Sequence, residues 1–261
     1  MKKEEYCKKN VLRFALFMGE LMLSNGAETN RVEDTIQRIC VSRGFKYINV
    51  FISPTSLIIS DDRFDGITFM KNVKERSINL NKIMLFNDFS RKYVSDPTIS
   101  AIDAIEELKR INETAYVYPD YVNYIATGIG CAGFAFIIGG NNILNFILTT
   151  ITSIIAMISY KQIMRFSAIP AFSSLVASIV ITVIATSLTS IGLISSPSTM
   201  IVGSIMPLLA GVIFIKGIRD LITGDLISGM ARISESCLTA VSIACGVGFV
   251  LDIWMKLGGT L

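Results

Sequence analysis

Residues 169–191 read IPAFSSLVASIVITVIATSLTSI, without one charged side chain. A helix needs about 20 apolar residues to cross the hydrocarbon core of a bilayer, with about 17 as the lower limit. This stretch therefore predicts a transmembrane helix. Four more apolar runs flank it, approximately Tyr121–Ile138, Ile143–Ser159, Met200–Ile215 and Cys237–Trp254. The first and last of these are long enough to span. Ile143–Ser159 and Met200–Ile215 are short, and are expected to extend into their polar flanks or to lie inside the bundle. The first run starts only after a full domain of chain, so none reads as a cleaved signal. The expectation is an all-α membrane domain of five transmembrane helices over residues 119–261.

The charge distribution sets that domain apart. The chain is 51% hydrophobic and 17% charged, with a mean hydropathy of +0.56; an ordinary soluble domain carries about 25% charged residues. Of 24 Lys and Arg, 18 lie before Tyr121, as do 17 of the 21 Asp and Glu. Residues 1–118 therefore read as a separate, charged domain. Glu4–Ser24 and Ala27–Arg43 show helical spacing of apolar residues, Tyr47–Ile52, Thr55–Ser60 and Gly66–Val73 read as strands, and Leu80–Tyr93 and Ile99–Ile111 return to helical spacing. DDRFDG, at 61–66, is a hairpin loop between the last two strands. The order ααβββαα predicts an α+β domain with an antiparallel sheet.

Orientation follows from Lys and Arg, which concentrate in cytoplasmic loops. Lys109 and Arg110 precede the first span, Tyr160–Arg165 follows the second, and Lys216–Asp220 continues to Arg232 after the fourth. The intervening loops Gly139–Asn142 and Gly192–Thr199 are uncharged, and Asn141, Asn142 and Asn145 read as interfacial. This places the N-terminal domain in the cytoplasm and, after five crossings, the C-terminus outside the cell (inner or plasma) membrane.

Several chemistries are excluded. The chain has no histidine, which removes imidazole acid–base catalysis and thiolate–imidazole zinc sites. Cys7, Cys40, Cys131, Cys237 and Cys245 show no CxxC spacing, as suits a reducing compartment. No GxxxxGK[ST] loop is present, which argues against an ATP-driven pump. No enzymatic activity, cofactor, metal or nucleic-acid partner is expected.

Three features carry candidate chemistry. In NGAETNRVEDT (25–35), Asn25 and Glu28 fit a capping box at the start of a helix. At 100° per residue Glu28, Thr29 and Thr35 share the face of Val32, Ile36 and Ile39, with Arg31 at its border. Burying such groups requires partners, so the stretch Glu28, Thr29, Arg31, Glu33, Asp34 reads either as helix decoration or as a functional patch. Arg31 could pair with Glu28, Asp34 or an acid elsewhere. After the fourth span, Asp220, Asp225 and Glu235 lie close to span ends, with Arg219 and Arg232 as counter-ions. Charges at membrane depth face a cavity or one another; the plain alternative is a solvated cytoplasmic loop. On a continuous helix Asp220 and Asp225 would diverge by about 140°, but a break at Gly224 would let them converge against Arg232. Gly217, Gly224 and Gly229 also permit close backbone approach. Pro207 lies inside the fourth span, where it frees the carbonyl of Gly203. Such a break is a device of transporter sites, or else a packed kink.

GELMLSNGAETNRVEDTIQRIC (19–40), FISPTSLIIS (51–60), INLNKI (78–83) and the pair Ser90-Arg91 resemble the N-terminal domain of the threonine/serine exporter family. IRDLITGDLISGMARISES (218–236) resembles that family's second signature, with Arg219, Asp220, Leu221, Gly224, Asp225, Ser228, Gly229, Arg232 and Glu235 in place. The resemblance implies a secondary exporter of small hydrophilic metabolites with a cytoplasmic N-terminal domain. Full-length members have about ten spans, so five spans resemble the half-size type, in which a second, smaller membrane protein supplies the remainder. Half-size members resemble parts of organic-acid exporters, which leaves threonine/serine and dicarboxylates such as succinate both open as cargo. Homo-oligomerisation is also compatible with the type. A membrane-anchored metabolite sensor or hydrolase-like protein is the rival reading, although Ser90 has no imidazole to activate it.

The loop assignment makes a direct prediction. In a background without native cysteines, a cysteine at Asn142 reacts with an impermeant thiol reagent on whole cells and one at Gln162 does not. The opposite pattern overturns the orientation.

Overall fold

The computed structural model describes residues 2–62, 66–73, 77–114, 118–139, 142–194 and 196–259, with side chains from Lys8 onward. The tip of DDRFDG (63–65), the Cys7 side chain and Asn141 lie outside the described residues. The chain forms two units, Met1–Val117 with Ile215–Arg232, and Tyr118–Phe214 with Ile233–Leu261.

The first unit holds helices α1 (Lys2–Ser24) and α2 (Thr29–Ser42), strands β1 (Ile48–Ser53), β2 (Ser56–Asp61) and β3 (Thr68–Asn72), and helices α3 (Leu80–Ser95) and α4 (Ala101–Thr114). The strands form one antiparallel sheet in the order β1-β2-β3, with Val50 opposite Ile59 and Ile59 opposite Phe69. Alternation decides which face is buried. Leu57 and Ile59 are fully buried, whereas Phe51 and Met70 stand out. The α+β arrangement predicted for this part of the chain is present. Phe14 of α1 anchors the core against Phe89 and Tyr93, with ring centroids 6.2 and 4.4 Å away. Arg43 places its guanidinium 4.1 Å from the Tyr93 ring and donates to the carbonyls of Tyr93, Asp96 and Ile99. It thereby satisfies acceptors that the end of α3 leaves open.

The predicted capping box does not form. Gly26, at φ 87°, closes α1 with Ala27 N–H on Met22 O (2.9 Å) and Gly26 N–H on Leu23 O (3.0 Å). That pair of bonds requires a left-handed residue, which glycine adopts without strain. Asn25 donates its amide to Leu21 O at 2.7 Å, so it finishes α1 and does not start α2. Glu28 is itself the N-cap of α2, and its side chain makes no capping bond.

The second unit is helical: α5 (Asp120–Ile138), α6 (Ile143–Ser167), α7 (Pro170–Ser190), α8 (Pro197–Ile205), a 3-10 turn (Met206–Leu208), and parts of α9 (Gly211–Ile222) and α10 (Leu226–Lys256). Asn142 caps α6, its side chain accepting from Leu144 N–H at 3.0 Å. Tyr160–Arg165, expected as a loop, continues α6 as helix, and Lys161 forms an ion pair with Asp120 at the start of α5. Likewise Lys216–Asp220 are helical within α9. Among the described residues four helices are long and apolar enough to cross a membrane, and the count reaches five if the interrupted pair α8 and α9 forms one span. The five-helix expectation thus depends on the break at Pro207, which is present: α8 ends at Ile205 and helix resumes at Gly211. Ser236 donates to Ala210 O (3.0 Å) in the gap.

Packing in this unit sets small polar side chains beside an apolar cluster that includes Ile181, Met200 and Ile201. Ser173, Ser174, Ser178, Thr182 and Thr186 of α7 are buried, as are Thr152 and Ser153 of α6, while Ile137, Val183 and Phe249 are exposed. Small residues let helices approach where lipid supplies no hydrophobic drive between them. Ser153 donates to Ser204 of α8 across that seam at 3.1 Å. A Cβ added at Gly246 of α10 would sit 2.1 Å from Ser178 Oγ and 2.8 Å from Leu175 O, whereas one at Gly248 meets nothing within 4 Å. Gly246→Ala is therefore expected to lower the melting temperature of the detergent-solubilised protein. Gly248→Ala leaves it unchanged or raises it, since alanine favours helix by about 1 kcal/mol over glycine.

Candidate functional site

Two consecutive residues at the start of α2 meet two consecutive residues of α9. Glu28 pairs with Arg219, Oε1 to Nη1 at 2.6 Å. Thr29 Oγ1 donates to Asp220 Oδ2 at 3.4 Å. The first contact is at the surface, where such pairs contribute about 0–1 kcal/mol. The second is buried: Thr29 is 1% exposed and Asp220 3%. Lys216, one helical turn before Asp220, donates to the carbonyl of Gly26 at 2.5 Å. The turn that ends α1 and the start of α2 are thus both held by α9.

The α9–α10 junction is built by Gly224. At φ 96° it allows Gly224 N–H to reach Leu221 O (3.2 Å) and Asp225 N–H to reach Asp220 O (2.8 Å), the same helix-ending turn as at Gly26. The chain then reverses into α10, and Gly229 comes so close to Gly217 O that an added Cβ would lie 2.8 Å from it. This close approach brings Arg232 beside Asp220, with Nε 3.0 Å from Oδ2. The pair is an ion contact that lacks good hydrogen-bond alignment at Nε. Ser228 adds a bond to Ile52 O of β1 at 3.3 Å.

Among the described residues Arg232 forms its ion pair with Asp220. Asp225 lies at a cavity of about 300 Å³ lined by Thr29, Glu33, Phe51, Ile52 and Ser228 among others. Its Oδ2 is buried without a hydrogen-bond partner among the described residues. Burial, with the negative charge of Asp225 as second cause, pushes the Glu33 carboxyl above its ordinary range. The cavity thus places the raised Glu33 carboxyl near a second acidic side chain.

Of the residues singled out in the sequence, Glu28, Thr29, Glu33, Arg219, Asp220, Asp225 and Arg232 come together. Arg31 and Asp34 do not join them; they line a groove with α3, and Asp34 pairs within α2 with Arg38 at 2.5 Å. Pro207 and Glu235 belong to the other unit, Glu235 half-buried in α10. Sequence reasoning names Ser228 only as part of the signature, gives Lys216 no site role, and does not single out the Ser/Thr seam of α6 and α7. For the seam a signal existed, because Ser174, Ser178, Thr182 and Thr186 recur every four residues.

The Asp220–Arg232 pair has a testable signature. Removing one partner of a buried pair strands the other charge and costs about 3–5 kcal/mol, whereas replacing both is far milder. Asp220→Asn and Arg232→Met should each lower thermal stability in detergent, and the double variant should recover most of the loss. A double variant no more stable than either single one would show that the charges are not coupled.

The model of a family described as putative threonine/serine exporter matches residues 13–254. The chain is 23% identical over 245 residues to a probable threonine/serine exporter of Mycobacterium tuberculosis, which covers 92% of this chain and 45% of that protein. It is 21% identical over 258 residues to the probable succinate transporter subunit YjjP of Klebsiella aerogenes, covering 97% and 98% of the two chains. The chain thus spans about half the length of the first relative and nearly all of the second. No solved structure matches it. Matched over most of its length, and carrying helices able to cross a membrane several times, the chain is a multi-pass membrane protein that belongs to the threonine/serine exporter family.

Proposed function

We propose that this chain is one subunit of a secondary exporter of small hydrophilic metabolites, completed by a second small membrane protein. Its first unit faces the cytoplasm in this reading, and its C-terminus lies outside. The near end-to-end correspondence with a relative named a transporter subunit supports the two-component form and a dicarboxylate such as succinate as cargo. The similarity to a named threonine/serine exporter supports the second cargo reading. Without an ATP-binding loop in the sequence, export would draw on an ion or proton gradient or on the cargo's own.

The observation that carries the mechanism is the unpartnered, buried Asp225 Oδ2 in the cavity it shares with Glu33. Burial and the nearby Asp225 charge raise the Glu33 carboxyl, so Glu33 holds a proton more readily than an exposed glutamate does. Beside them Asp220 is held by Arg232 and Thr29. Glu33 supplies a proton-holding group beside Asp225, and Asp220–Arg232 supplies the fixed frame around it. No histidine is needed for such a relay.

Cells expressing the chain with its partner should release succinate, threonine or serine faster than cells expressing either alone. Asp225→Asn, at matched membrane levels, should impair release more than Glu235→Gln, and wild-type efflux from Asp225→Asn would remove Asp225 from the coupling role. A stability measurement checks the titration separately. A carboxyl with a raised folded-state value contributes fully below the ordinary glutamate range, and that contribution is lost as pH rises through the raised value. Glu33→Gln should therefore gain thermal stability relative to wild type as pH rises through that window, and show no gain below it.

A further inference from the structure

Helix α2 carries a second polar stripe, directed away from the Asp225 cavity. Arg31, Asp34, Thr35 and Arg38 follow the spacing i, i+3, i+4, i+7, which defines one helix face. They form one wall of a cavity of about 320 Å³. The other wall belongs to α3, where Asn87, Ser90, Arg91, Val94 and Ser95 repeat the same spacing. Two helices that share an apolar seam thus open, beyond that seam, into a groove lined with donors.

The charges of this groove do not cancel. Arg38 holds Asp34 through two bonds, Nε to Oδ1 at 3.0 Å and Nη2 to Oδ2 at 2.5 Å, which neutralises both. Arg31 and Arg91 make no ion pair with a carboxylate among the described residues. Two uncompensated guanidiniums, one from each wall, therefore face the same small volume. Guanidinium is the side-chain group best matched to carboxylate, through paired parallel hydrogen bonds. The Ser90 and Thr35 hydroxyls already donate to the helix carbonyls of Asn87 and Arg31, so specificity rests on the two cations.

We propose that the α2–α3 groove binds a small dicarboxylate, one carboxylate on Arg31 and the other on Arg91. With one cation on each helix, each end of a ligand with two charged ends can take its own guanidinium. A zwitterionic amino acid is disfavoured, because its ammonium would face the second guanidinium. The lining contains no aromatic ring on which a nucleobase could stack. The site is distinct from the Asp225 cavity, on another face of α2, and stands whether the exported cargo is an amino acid or an acid. It gives the first unit a means of responding to dicarboxylate without transporting it.

A fluorophore on a cysteine placed at Ser95, an exposed rim position, reports this groove in the full-length protein after the native cysteines are removed. Titration with succinate should give a saturable response. Arg31→Gln and Arg91→Gln should each weaken it at least tenfold, and Asp225→Asn should leave it unchanged. No saturable response, a response that either glutamine variant retains, loss of the response in Asp225→Asn, or tighter binding of inorganic phosphate or threonine than of succinate would each overturn the assignment. Calorimetric titration of unlabelled wild type and of the Arg31→Gln/Arg91→Gln double variant with succinate keeps the test decisive if the label itself fills the groove. Loss of succinate heat in the double variant supports the site, and heat equal to wild type refutes it. Neither readout measures export, so failure here is separable from failure of the exporter assignment.

Discussion

The buried contact between Asp220 and Arg232 is the constraint around which the first unit is arranged. Two opposite charges removed from water tolerate little displacement, since either alone would be a buried ion. Their meeting requires α9 to end sharply, α10 to begin at once, and the two helices to touch. Gly224 provides the reversal and Gly229 the contact. Once α9 is fixed in this way, Lys216 and Arg219 are aimed at the α1–α2 connection, and the threonine at the start of α2 completes the polar shell of Asp220. The spacing of charged residues and glycines in IRDLITGDLISGMAR is therefore a geometric requirement as much as a chemical one.

The second unit solves a different problem. Helices surrounded by hydrocarbon gain nothing from turning leucine inward, so their association depends on close contact and internal hydrogen bonds. The interior of α6 and α7 is accordingly mostly serine, threonine and alanine, joined by Ile181, while most of their isoleucines lie outward. Most of the hydroxyls bond back to their own helix, as Thr182 does to Ser178 O and Thr186 to Thr182 O. Ser174 Oγ is an exception, buried without a partner among the described residues.

Much of this architecture was legible in the sequence because it rests on periodicity. The strand runs 47–52, 55–60 and 66–73, and the apolar run 169–191, announce themselves through alternation or through absence of charge. The break at Gly224 is legible too, from a glycine set within a helical run, although Arg232 pairs with Asp220 while Asp225 lines a cavity. What could not be read was partnership. Asn25 and Glu28 fit a capping box by spacing alone, yet Glu28 is drawn to Arg219, far away in sequence, and Asn25 to the helix before it. Arg31 and Glu33 are two residues apart and so lie on different faces of α2, which local pattern shows only once the neighbouring helices are known. The basic residues after the second and fourth spans read as loops because charge resembles a helix end, whereas helix α6 carries Lys161 and Arg165 within it.

The first unit is discontinuous in sequence, and this governs how it can be made. Its final piece, Ile215–Arg232, leaves the ribosome only after residues 118–214 have been synthesised. At about 5–20 residues per second, that interval is on the order of ten seconds. During it the completed α/β portion carries an unmet Gly26 carbonyl, an unpaired Glu28 and an open edge at Ile52 and Thr29. A gene fragment ending after α4 would make that interim state permanent. The region is thus no detachable module: its last structural component is delivered by the membrane helices that follow it.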